Sequence, residues 1–162
     1  MRKNLIFSDG EIEFLKYLVK NRVEFMVVGL SAAALQGAPV VTQDIDLWFK
    51  DLKDPGIQKA LKKVDGVFVP SFEMNPPSFA GESVKLFDIV THMDGLDNFE
   101  KEKINTEKIS LGKDSFRILS IERIIKSKEV ANRSKDKIVV PVLKDTLMVI
   151  KQKKKKIRRS IR

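Results

Sequence analysis

Two aspartates one residue apart, Asp44 and Asp46, stand in an otherwise apolar run with Ile45, Leu47, Trp48 and Phe49. A strand buries apolar side chains readily. It buries ionised carboxylates only at a cost of several kcal/mol each, unless a cation or hydrogen bonds compensate. Side-chain alternation places both carboxylates on one face, about 6.6 Å apart along the chain, where they can address one hard cation. A third acid, Asp88, is embedded in the same way in VKLFDIVT, residues 84–91. If the two strands are neighbours, three carboxylates meet at one edge of a sheet. That oxygen set suits Mg²⁺ or Mn²⁺, and Mg²⁺ takes one or two carboxylates together with substrate phosphates. A pair of such ions stabilises both the attacking and the leaving oxygen of a phosphoryl displacement. Upstream, Val28-Gly29 ends an apolar run and leads into the small residues Ser31 to Ala34. Such a turn lets backbone amides face a phosphate, with Ser31 offering a hydroxyl. Alone, an Asp-x-Asp is weak, because strand-end acids often pair with Lys or cap a turn. The third acid and the glycine turn strengthen it.

The elements that must hold these residues are readable from periodicity. Ser8 followed by Glu11 is a capping-box pattern, and Ile12, Leu15, Leu18 and Val19 recur at helical spacing, so a helix is expected over 9–21. Strands are expected at 24–28, 44–49, 67–69 and 84–91, with an Ala-rich helix at 31–36 closed by Gly37. Asp54-Pro55-Gly56 opens a further helix that carries Ile57, Leu61 and Val64. Residues 70–82, with Pro76-Pro77, read as mostly loop, and with Phe72 and Phe79 as either a flap over the site or a plain loop. The polar stretch 92–106 also reads as loop. Residues 108–111 and 115–119 flank Gly112 as a hairpin, and helices follow at 120–132 and 136–150, with Pro141 near the start of the second or at a kink. The mixture predicts an α/β (α+β) fold, a mixed sheet with helices packed on it.

Composition bounds the class. A chain of 162 residues, 43% hydrophobic and 33% charged, fits one domain with a real core. No cysteine is present, which excludes disulfides and thiolate chemistry and fits a cytoplasmic, reducing compartment. No apolar run is long enough to span a membrane, and the start, MRKNLIFSDGE, lacks the apolar stretch of a signal peptide. The net charge of +9 is concentrated in residues 151–162, KQKKKKIRRSIR, with eight Lys and Arg and no acid. The rest holds 23 basic against 22 acidic residues. The division expected is a domain over 1–150 and a basic, disordered tail over 151–162.

Taken together, these residues resemble the DNA polymerase beta nucleotidyltransferase superfamily, and most of all its small AbiEii-like members of the toxin–antitoxin type. The resemblance rests on VVGLSAAALQGAPVVTQDIDLWF, residues 27–49, and on Lys128 with Arg133-Ser134-Lys135-Asp136 after the strand at 116–119. It covers about residues 10–148. It implies transfer of a nucleoside monophosphate from a nucleoside triphosphate to a hydroxyl of RNA, protein or a small molecule. Asp44, Asp46 and Asp88 would be the catalytic and metal-holding residues. Gly29, Ser31, Thr42, Lys128, Arg133 and Lys135 would bind nucleotide; for Lys128, Arg133 and Lys135 the alternative is a solvated helix face that pairs with Asp136. A partner subunit or a second copy would supply what so small a chain lacks for acceptor binding. Three positions depart from the pattern: Leu30 where Gly or Ser is usual, Gln36 for a His, and Val40 for an Arg. Leu30 puts bulk where backbone approaches phosphate, so the alternative is a catalytically degenerate nucleotide-binding or regulatory module. His92, the sole histidine, reads as structural or solvent-facing more readily than as a proton relay, and at least one of Trp48 and Phe49, which alternation sends to opposite faces, reads as core and not as a base-stacking platform.

Overall fold

The computed structural model describes residues 6–161; residues 1–5 and 162, which include part of the basic start and the last residue of the basic terminus, lie outside it. Helix α1 (Asp9–Lys20) begins at the expected capping box. Ser8 Oγ accepts from Glu11 N at 3.2 Å, and Ser8 N donates to Glu11 Oε1 at 2.8 Å. Its apolar stripe buries Phe14, Leu15 and Leu18 completely. Strand β1 (Phe25–Val28) is buried throughout and runs directly into the short helix α2 (Gly29–Leu35). Strand β2 (Ile45–Phe49) follows, then α3 (Pro55–Lys63), where Asp54 caps Gly56 N at 2.8 Å.

The remaining strands are β3 (Val67–Val69), β4 (Ser78–Ala80), β5 (Phe87–Val90), β6 (Thr106–Leu111) and β7 (Asp114–Leu119). Helices α4 (Phe99–Glu102), α5 (Ile121–Ala131) and α6 (Ser134–Ile161) complete the chain, with a 3₁₀ turn at Lys103–Asn105. All seven strands form one mixed sheet in the order β3-β4-β5-β2-β1-β7-β6, so the expected α+β architecture is what forms. Helices α1 and α3 pack on each other, while α2 packs on α5 and α5 on α6. Phe14 of α1 meets Phe79 of β4 and Phe87 of β5 with ring centroids 5.4 and 5.2 Å apart, which ties one helix layer to the sheet.

Residues 70–82 are mostly loop, as expected, with one short strand, β4, that pairs with β3 and β5. Its Phe79 is buried, so it belongs to the core and not to a flap, whereas Phe72 is exposed. The polar stretch 92–106 contains α4, capped by Asn98, whose side chain accepts from Lys101 N at 3.0 Å. Residues 151–161, expected as a disordered tail, continue α6 as helix. Lys, Arg and Gln are good helix formers, and Leu143, Leu147 and Ile150 already anchor the helix to the body. Pro141 sits inside α6 on an exposed face. It removes one backbone donor without ending the helix.

Candidate functional site

The sheet order decides the site. Strand β2 lies between β1, to which it is antiparallel, and β5, to which it is parallel. The register places Asp46 opposite Val28 on one side and opposite Asp88 on the other. The end of β1, with its glycine turn, and both embedded acids therefore share one sheet edge. Asp44 immediately precedes β2 and is exposed, Asp46 is half-buried, and Asp88 is exposed.

Gly29 is required where it stands. Its φ of +66° lies in the left-handed region, and a Cβ there would strike Asp46 Oδ2. The backbone of the turn is thus in van der Waals contact with the Asp46 carboxylate.

Thr42, Asp44, Asp46 and Asp88 line a cleft of about 320 Å³ whose other wall is Lys128, Arg133, Lys135 and Asp136, with Leu30 and Val139 as its apolar members. An adjoining recess of about 250 Å³ shares Asp46, Lys128 and Arg133 and adds Gly29, His92 and Asp94. Of the nine residues expected to form the site, Ser31 alone lines neither. It is buried and donates from Oγ to Val28 O at 3.0 Å, so its hydroxyl holds the turn. Thr42 donates from Oγ1 to Asp44 O at 2.9 Å and so fixes the approach to β2. Gln36, where the resemblance expects His, donates from Nε2 to Ala32 O at 3.0 Å and Leu119 O at 2.8 Å, which fastens α2 to β7. Trp48 is buried edge-on against Phe99, their centroids 5.8 Å apart, and is part of the core as expected. His92 is largely exposed, with Nε2 at 3.8 Å from Asp94 Oδ1.

The electrostatics separate two sets of charges. Burial pushes the Asp46 carboxyl up to about 6, reinforced by the charges of Asp88 and Asp44 and partly offset by Lys128 and Lys135. Asp88 is also raised, by burial and by Asp44. None of the three aspartates forms an ion pair among the described residues. Two of the three cations across the cleft, Lys128 and Arg133, are instead committed to Asp136. Lys128 Nζ lies 3.4 Å from Asp136 Oδ1, and Arg133 donates to Oδ2 from Nε at 2.9 Å and from its backbone N at 3.1 Å. Burial alone would raise Asp136. The hydrogen bonds from Arg133 and the charges of Lys128 and Arg133 outweigh it and hold the carboxyl below the ordinary range. Asp136, the acid of the Arg133-to-Asp136 motif, is the organising residue, and its pairing with Lys128 and Arg133 is the alternative the sequence offered to direct phosphate contact.

Among solved structures, the fold is similar to that in the crystal structure of ANT(2")-Ia in complex with adenylyl-2"-tobramycin, at 15% identity and a TM-score of 0.54, with 92% of each chain covered. The chain has a nucleotidyltransferase-like fold. At that identity the likeness concerns fold alone. No protein-family model matches the chain, and no curated protein matches it. Among the described residues, no helix is long and apolar enough to cross a membrane.

Three carboxylates, the oxygen donors that a hard divalent cation takes, line one cleft without ion-pair partners among the described residues, the central one raised first by burial and then by its neighbours' charge. As placed, no three Asp, Glu, His or Cys side chains among the described residues converge tightly enough to hold a metal.

Proposed function

We propose that the protein is a metal-dependent nucleotidyltransferase. It would move a nucleoside monophosphate from a nucleoside triphosphate onto a hydroxyl of RNA, protein or a small molecule, as the AbiEii-like resemblance implies. The observation that carries this reading is the register of Asp46 with Asp88 on parallel neighbouring strands, beside a glycine turn pressed on the same carboxylate. The nucleotidyltransferase-like fold supports it.

Asp44, Asp46 and Asp88 would hold Mg²⁺ or Mn²⁺. Such an ion, when bound, neutralises phosphate charge and stabilises the oxygens that attack and leave. The chain's own residues supply the rest. Lys128, Arg133 and Lys135 face the aspartates across the cleft and would bind the triphosphate as charge-assisted donors. Asp136 orients the first two of these. Asp88, raised by burial and by Asp44, would accept a proton from the acceptor hydroxyl. Gly29 keeps the turn close to Asp46, and Thr42 fixes the loop before Asp44.

Calorimetric titration with each nucleoside triphosphate, with and without Mg²⁺ or Mn²⁺, tests the reading. Binding that requires the metal and disappears in Asp46→Ala is expected. Equal binding by the Asp46→Ala chain sinks it. A second reading is favoured by Leu30, whose side chain lines the cleft: a degenerate module that binds nucleotide without turnover. Pyrophosphate release in the presence of acceptor candidates separates the two.

A further inference from the structure

The charge at the end of α6 is not spent on the cleft. From Lys151 to Ile161 the helix carries seven Lys and Arg and no Asp or Glu, and every residue is exposed. Only Lys151 and Lys154 reach the body, at 3.4 Å from Glu122 and 3.8 Å from Glu107. Lys153, Lys155, Lys156, Arg158 and Arg159 form no ion pair among the described residues. At 100° per residue, Leu143, Leu147, Ile150, Ile157 and Ile161 fall on one stripe. Its first three members pack on the domain, and Ile157 and Ile161 continue it uncovered. Lys155, Lys156 and Arg159 point away from that stripe, with Lys153 and Arg158 on its two flanks.

We propose that this half of α6 is a nucleic-acid-binding surface that engages the phosphate backbone without reading sequence. The argument is charge complementarity. Eleven helical residues rise about 16 Å, so seven cations give one charge per about 2.4 Å, against one phosphate charge per about 1.7 Å of duplex axis. Cations on three sides of an exposed helix can follow a curved backbone, and releasing counterions from it supplies affinity. A membrane surface is the competing occupant of a basic helix. Helices that lie in lipid interfaces rely on bulky apolar side chains such as Trp, Phe and Leu. Between residues 151 and 161 there are two isoleucines and none of those.

The test is fluorescence anisotropy of the full chain with a labelled DNA duplex and a labelled RNA, in EDTA and without nucleotide, so that the result is independent of the aspartate cleft. Five unpaired cations predict a slope of about −4.5 in log affinity against log salt on the duplex, a loss of about 500-fold between about 50 and 200 mM. The fourfold variant Lys155→Gln, Lys156→Gln, Arg158→Gln, Arg159→Gln should flatten the slope to about −1. The charge-keeping pair Lys155→Arg, Lys156→Arg should preserve it, and circular dichroism should show the helix intact in both. A slope near zero in the wild type, or an unchanged slope in the fourfold variant, overturns the proposal. So does a wild type that ignores both nucleic acids but binds phosphatidylglycerol-containing vesicles and loses them in Ile157→Ser, Ile161→Ser, which would assign the helix to a membrane surface.

Discussion

Replacing the central aspartate should make the metal-free protein more stable. Asp46 titrates at about 6 in the fold, against an ordinary value of 3.8, because burial and the charges of Asp88 and Asp44 outweigh Lys128 and Lys135. That difference corresponds to about 3 kcal/mol, as an order of magnitude, between the charged and neutral forms. The sign follows from proton counting. Between the two values the native state holds a proton that the unfolded chain has lost, so this group's contribution to stability falls as pH rises. The penalty is absent below about pH 4 and complete above about pH 6. Asp46→Asn keeps the shape and removes the charge, and Asp46 takes part in no ion pair that would be forfeited.

Urea denaturation in EDTA across the pH range is the assay. The Asn variant should exceed wild type by about 1–3 kcal/mol above pH 7, with the gap closing towards pH 4. For a chain of this size, thermal midpoints should move by about 2–4 °C for each kcal/mol. Adding Mg²⁺ should then raise the wild type and leave the variant unmoved, since only a state that binds the ion is stabilised by it. A variant less stable than wild type at neutral pH, or a gap that is the same at pH 4, would show that the carboxylate is compensated within the protein and refute the reasoning.

Three further outcomes are expected. Gly29→Ala forces a left-handed residue and drives its Cβ into Asp46; it should cost about 1–2 kcal/mol from the backbone alone, measured by urea titration, and weaken metal-dependent nucleotide binding at least tenfold. Asp136→Ala should destabilise by about 2–3 kcal/mol, because it strands Lys128, which is only 14% exposed. Asp136 is held below the ordinary range, so the stability it contributes is present above about pH 4 and is lost as pH falls further, and the wild-type advantage in acid titrations should shrink there. Leu30→Ser removes apolar bulk from the cleft wall; calorimetry should show nucleotide affinity rising several-fold, and unchanged affinity would remove Leu30 as the obstruction.

What the sequence made legible is the local chemistry of each strand. Asp44, Asp46 and Asp88 stood out because their neighbours are apolar, and that signal needs no knowledge of pairing. The register that brings Asp46 opposite Asp88 was only a condition in that reading, because β2 and β5 are parallel and joined by a long excursion through α3, β3 and β4. Strand β4 was hidden by its brevity: three residues after Pro76-Pro77, with Phe79 alone pointing inward, leave no alternation to detect. Ser31 misled for the opposite reason. Its type suits a phosphate loop, but a hydroxyl in the first turn of a buried helix satisfies itself on the backbone behind it. The helical extension past residue 150 was masked by composition, since a lysine run reads as solvated chain until the stripe from Leu143 to Ile161 is followed across it.

The division of charge within the cleft is the strongest argument that its acids await something from outside. Lys128 and Arg133 stand close enough to Asp46 to influence it, so the fold had cations at hand to neutralise a half-buried carboxylate. It spends them on Asp136, which is 1% exposed, and leaves Asp44, Asp46 and Asp88 to repel one another. A purely structural aspartate gains by the nearest available pairing, and an uncharged residue at position 46 would avoid the cost altogether. Under the proposed function, a divalent ion at the three unpaired carboxylates and phosphates at Lys128, Arg133 and Lys135 would jointly neutralise the cleft.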